Sequence, residues 1–175
     1  MRYRVLGERG IIMQLTRDKF VPLIDVSEQK NLSKLVRIDK STKFELSFNA
    51  QTDTKGYICD KNDSTEVTGY QPELPEEIIL DNTNPLFKFM FEYAKKFPIG
   101  TACNVPVVLG IPSMTTGATT DAILWQEASI IIDTLNTVDG TLSFKIGLNG
   151  TPKMGTLTGL GTDNVKFSPA SGVAA

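Results

Sequence analysis

Residues 84 to 100 read NPLFKFMFEYAKKFPIG, and they decide the fold. Asn84 is a favoured N-cap, because its side-chain oxygen can accept from a free first-turn N–H. Pro85 takes the first helical position, where a missing N–H costs nothing. Leu86, Phe89, Met90, Tyr93, Ala94 and Phe97 recur at helical spacing on one face, opposite Lys88, Glu92, Lys95 and Lys96. Lys95 and Lys96 complement the helix dipole in the last turn, and Pro98 and Gly100 end the segment. The pattern predicts one amphipathic helix over about residues 85–97. Leu86, Phe87, Met90, Phe91 and Phe97 are its candidate core or interface residues. Phe87 and Phe91 flank the main stripe and make the aromatic face broader than one small sheet needs.

Around that helix the chain reads as strands. Leu35 to Asn49 alternates Phe44, Leu46 and Phe48 with Lys43, Glu45, Ser47 and Asn49, the pattern of a half-buried antiparallel strand. Glu76 to Leu80 reads as another. After the helix come an apolar run at 104–111, a small-residue loop at 112–121 and a strand over 122–133 holding the only tryptophan, Trp125. Leu142, Phe144, Ile146 and Leu148 alternate with Thr141, Ser143, Lys145 and Gly147, bounded by Asp139-Gly140 and Asn149-Gly150 turns. Lys153 to Thr158 returns. No βαβ rhythm repeats. The fold class is therefore mainly β, an antiparallel β-sandwich or half-barrel with one flanking α-helix.

Two segments fit less well. Residues 1–34 read as an N-terminal arm or edge segment, with Pro22 demoting Phe20–Val26 to an edge. Ala50 to Pro75 is long and polar, with short strands at Tyr57–Cys59 and Glu66–Thr68. A stretch of that kind is usually functional or disordered. The sandwich domain spans 35–160, and 161–175 reads as a flexible tail.

The 175-residue chain carries a formal charge of −2, so bulk attraction to nucleic acid is not expected. It has no apolar run long enough for a membrane span and no apolar core of signal-peptide length. It contains no histidine, which removes Ser-His-Asp and Cys-His chemistry. Cys59 and Cys103 read as two free thiols. Asp60 to Thr65 has the look of a calcium loop, but the twelfth position is Gln71 rather than Glu, so the match fails. The late glycines are turn residues and not a phosphate loop. No catalytic, metal or cofactor site is expected, and the chain is not read as an enzyme.

The order of motifs resembles the major tail tube proteins of long-tailed (siphophage-type) bacteriophages. The resemblance rests on FELSFNAQTDTKGYICD, on Gly69-Tyr70-Gln71-Pro72, on Asn84-Pro85-Leu86-Phe87, and on the late DGTLSF hairpin, and covers roughly 35–160. It implies a tail tube subunit that polymerises as stacked, hexameric rings into a hollow tube conducting phage DNA to the host. It implies a place in the virion after synthesis in the host cytoplasm, with itself, tape measure and tail terminator proteins as partners. DNA would pass without sequence-specific binding. Within that reading Lys43, Glu45, Ser47, Thr141, Ser143 and Lys145 are the candidate lumen face. Asp53, Tyr57, Asp60, Asp63 and Tyr70 mark the candidate ring-stacking loop. The alternatives are the inner tube of a contractile injection system and a carbohydrate-binding or adhesive sandwich of a tail tip.

Overall fold

A computed structural model describes residues 16–56, 62–113, 118–162 and 164–170. Among the described residues twelve strands follow in chain order, with one α-helix between the sixth and seventh and two short 3-10 turns at Arg17–Lys19 and Gly100–Cys103. They are β1 (Val21–Asp25), β2 (Leu35–Arg37), β3 (Ser41–Phe44), β4 (Ala50–Lys55), β5 (Ser64–Tyr70), β6 (Glu73–Ile79), α1 (Pro85–Lys95), β7 (Val107–Pro112), β8 (Thr119–Trp125), β9 (Ser129–Asn136), β10 (Thr141–Gly147), β11 (Lys153–Thr158) and β12 (Lys166–Pro169). The architecture is mainly β, with antiparallel pairing throughout and one helix on a side, as the sequence pattern predicts.

One sheet has six strands in the order β12-β11-β8-β7-β1-β2, and another has four in the order β3-β6-β10-β9. The main core lies between them. Ile24, Val107, Leu109 and Trp125 from the first sheet meet Leu74, Ile78, Leu142, Phe144 and Ile146 from the second. Leu86 and Met90 of α1 are fully buried in that core. Truncating either to Ala removes apolar contact and leaves a void, a cost of about 2–5 kcal/mol. A smaller cluster on the far face of the six-stranded sheet gathers Val21, Leu23, Val108, Leu124 and Leu157. Both faces of this sheet are therefore apolar, which explains runs such as VVLG that do not alternate.

The helix begins as its sequence dictates. The Asn84 side chain accepts from the Leu86 N–H at 2.8 Å and donates to Asp39 at 3.0 Å, tying the cap to the sheet below. The helix stops at Lys95, two residues short of expectation.

Several expectations need correction. Val21–Asp25, read as part of an arm, is a fully buried strand between β2 and β7. Pro22 is tolerated there because β2 pairs only with Leu23–Asp25, so the missing N–H falls at the end of that ladder. Residues 122–133, read as one strand, are two: Gln126 and Glu127 sit in a turn where the chain crosses from one sheet to the other. Lys166–Pro169, read as flexible tail, pairs with β11. It docks there because Gly155 has no side chain: a Cβ at that position would stand 2.5 Å from the Phe167 ring.

Candidate assembly interface

The four-stranded sheet has one buried face and one open face. Leu74, Glu76 and Ile78 point inward on β6, as do Leu142, Phe144 and Ile146 on β10. The register puts Lys43, Glu77, Ser143 and Thr134 in one row of the open face, and Pro75, Lys145 and Ile131 in the next. A further row is Ser47, Glu73, Gly147 and Ser129. Of the candidate lumen residues, Lys43, Ser47, Thr141, Ser143 and Lys145 are thus gathered on one surface. Glu45 is exposed, between β3 and the Ser47–Glu73 bridge. Glu77 is the hub of the face, accepting from Thr42 at 3.2 Å and from Ser143 at 3.3 Å. The charges that the register places here, Lys43 and Lys145 against Glu73 and Glu77, balance.

Both edges of this sheet are open. No strand among the described residues pairs with the outer side of β3, or with β9 beyond the Asn104–Ser129 bridge. Because the four strands alternate in direction, β3 and β9 run opposite ways. A copy related by simple rotation would therefore present its β3 antiparallel to β9. A long open edge on a monomer invites such pairing.

The long polar stretch holds a β-ribbon: the strand expected at Glu66–Thr68 falls inside the longer β5, and the one expected at Tyr57–Cys59 lies outside the described residues. β4 and β5 pair from Ala50–Tyr70 to Lys55–Ser64, continuing the β3–β6 ladder through reciprocal Ser47–Glu73 bonds of 3.0 and 2.9 Å. All its described side chains except Gly69 are exposed. The six residues of β4 carry it roughly 20 Å from the body. Asp53, Asp63 and Tyr70 all lie on this arm, whereas Tyr57 and Asp60 fall outside the described residues. The arm has no core of its own. Its support is backbone pairing, a Thr54–Thr65 contact at 3.1 Å, a bond of 3.2 Å from the Thr68 hydroxyl to the Gln51 carbonyl, and an exposed Asp53–Lys55 ion pair worth little. A two-stranded ribbon of that kind is marginal in water.

Two apolar clefts flank these features. One, of about 1370 Å³, opens at the root of the arm and is lined by Phe48, Tyr70, Trp125, Ile111 and Pro152 among others. The other, of about 750 Å³, runs between the end of α1 and β9 and includes Phe91, Phe97, Ile99, Ile131 and Leu135. Phe97 was expected in the helix stripe. It is 85 % exposed, because the helix has ended and its backbone has turned outward at φ +44°. Phe87 and Phe91 are half-buried and stack against each other at 5.6 Å.

Sequence patterns missed one group altogether. Glu76 is 2 % exposed and lies on the core face beside Phe144. Its Oε2 accepts from the Ser41 hydroxyl, while its buried Oε1 has no partner. Burial pushes its carboxyl up to about 7, against the smaller downward pull of the Ser41 bond. In the sequence it is one of two adjacent glutamates on a strand, and only the alternation with Leu74 and Ile78 marks it as inward. Among the described residues, no group of three acidic, Cys or His side chains could hold a metal, and no helix is long and apolar enough to cross a membrane.

No protein-family model matches the sequence, and no curated protein matches it. Solved structures do resemble the fold. The sheath/tube terminator of the PVC extracellular contractile injection system, in its extended state, matches over 83 % of this chain and 99 % of its own, at 5 % identity and a TM-score of 0.52. The tube-terminating cap of the anti-feeding prophage matches over 94 % and 97 %, at 10 % identity and a TM-score of 0.46. A chain of the PVC sheath–tube complex matches over 83 % and 94 %, at 8 % identity and 0.46. The first likeness is one of fold.

Proposed function

We propose that this chain is a structural subunit of a phage-type tail and carries no catalytic activity. Copies related by rotation join β9 of one to β3 of the next. Their four-stranded sheets then close into a single inner barrel, which removes both open edges at once. The uncovered, charge-balanced face of Lys43, Glu73, Glu77 and Lys145 lines the hole. A wall without excess positive charge lets DNA slide, because each added cationic contact would bind phosphate and add drag. Six copies per ring follow from the resemblance to tail tube proteins, as do placement in the virion and contacts with tape measure and terminator proteins. The arm of β4 and β5 reaches the next ring, where a partner would supply the support it lacks. The observation that carries this reading is the pair of open, oppositely directed edges on a sheet whose outer face is uncovered and mixed, with Lys43, Glu77, Ser143 and Lys145 beside Ile79 and Ile131.

A second reading is favoured by the fold likeness to a sheath/tube terminator over nearly all of that protein's length. In that case the chain forms one ring that closes a tube instead of a long stack. Native mass spectrometry tests both. The expected species is six times the 19.2 kDa chain mass, followed by multiples of it for a tube subunit and by none for a terminating ring. A monomer at every concentration contradicts both.

A further inference from the structure

The cleft of about 1370 Å³ runs along the end of the sandwich, between the six-stranded sheet and the root of the arm. Ile111 and Trp125 belong to one wall, and Phe48, Tyr70 and Leu148 to the other. Phe48 and Tyr70 are each 62 % exposed. The volume exceeds the roughly 300–1,000 Å³ of an ordinary small-molecule site, so a stretch of polypeptide fits it better than a metabolite.

The chain itself enters the structure at this cleft. The described residues begin at Thr16, and four residues later Phe20 is part of the cleft wall. One step beyond the Val21–Gly110 pair, the β1–β7 ladder brings Phe20 beside Ile111 of the same wall. The turn between is anchored at both ends. The Lys19 N–H donates to the Thr16 carbonyl at 3.0 Å, and the Lys19 carbonyl accepts from the Thr119 hydroxyl at 2.6 Å. The entering chain is thereby held against the start of β8, whose Ile123 and Trp125 line the cleft.

Just ahead of Thr16 the sequence has Ile11, Ile12, Met13 and Leu15, with Glu8, Arg9 and Gly10 before them. From Phe20 back to Ile11 is at most about 30 Å of extended chain, so all four apolar side chains can reach the cleft. A segment tethered this closely acts at an effective concentration on the order of millimolar, well above that of a second copy or a free peptide in solution. We propose that residues 11–15 of the same chain plug the arm-root cleft and close that end of the sandwich. The plug supplies apolar cover for Phe48 and Tyr70. It forms in monomer and ring alike.

A bimane label on Gln14→Cys, in the full chain with Cys59→Ser and Cys103→Ser, tests this, because Trp125 is the only tryptophan and quenches bimane on close approach. The expected result is a loss of emission that Trp125→Phe restores. Dilution, or an excess of unlabelled chain, should leave the quenching unchanged. Ile12→Asp and Phe48→Asp should each restore the emission as well, the first by charging the plug and the second by charging its seat. An unquenched label in the parent overturns the plug and leaves the ring reading standing. Quenching that unlabelled chain relieves also overturns it, since the occupant is then a second copy. Emission that stays low in both Asp variants overturns it too, because the label then meets Trp125 without the apolar contact.

Discussion

The Tyr93 hydroxyl lies 2.9 Å from the carbonyl of Ile130 and donates to it, joining the helix to the outer edge of β9. The same oxygen stands 3.2 Å from the Cys103 carbonyl. Burial holds the phenol well above its ordinary pKa, so the proton stays on the oxygen across the working range. One side chain thus fixes the helix, the segment at Cys103 and the edge strand together.

Tyr93→Phe keeps the ring but removes that donor. A lost buried hydrogen bond costs about 0.5–1.5 kcal/mol, and more if the carbonyls are left dry. The expected result is a melting temperature lower by about 2–4 °C, with faster amide exchange along Ile130–Ile132. Unchanged exchange would show that β9 is positioned without the helix.

Glu76 sets a pH dependence of defined sign. Its folded-state pKa of about 7 lies above the ordinary 4.5, so the native state keeps a proton that the unfolded state has lost. Stability should therefore be full below about pH 4.5, fall as pH rises to about 7 and level off beyond. The change from this group is on the order of 3 kcal/mol. Glu76→Gln cannot ionise. In urea titrations it should match the wild type near pH 4.5 and exceed it at pH 8; equal stability at pH 8 would mean that the carboxyl reaches water.

Deleting Thr52 to Ser64 removes most of the arm and none of the core. The shortened chain should melt within a few degrees of the parent, since exposed ribbon residues bury little. It should still close into rings and fail to stack them. Stacks of normal length would remove the arm from ring-to-ring contact.

The alternation of Leu142 to Leu148 and the capped helix at Asn84 were legible because each depends on neighbours a few residues away. Pairing was not. Pro22 marks an edge by local rules, yet β2 happens to be too short to need its N–H. Gln126 and Glu127 look like one polar step within a strand until the crossover between sheets is seen. Of the arm only the short strand at Glu66–Thr68 was legible, because the arm's threonines, aspartates and lysines make no apolar face and its pairing alone shows the full ribbon. Phe97 misled for the opposite reason: helical spacing assigned it to the core stripe, but the helix had already ended at Lys95. Of the candidate surface residues, alternation correctly grouped Thr141, Ser143 and Lys145. Glu76 leaves one local signal, its alternation with Leu74 and Ile78, while the arm-root cleft depends on contacts between distant segments and leaves none.

Electron microscopy of the purified chain tests the central claim most directly. The expected images are rings with a central hole, alone or stacked into tubes, whose inner wall resolves as one continuous antiparallel barrel joined β9 to β3. Compact monomers without a hole, or rings whose four-stranded sheets face outward, would contradict it.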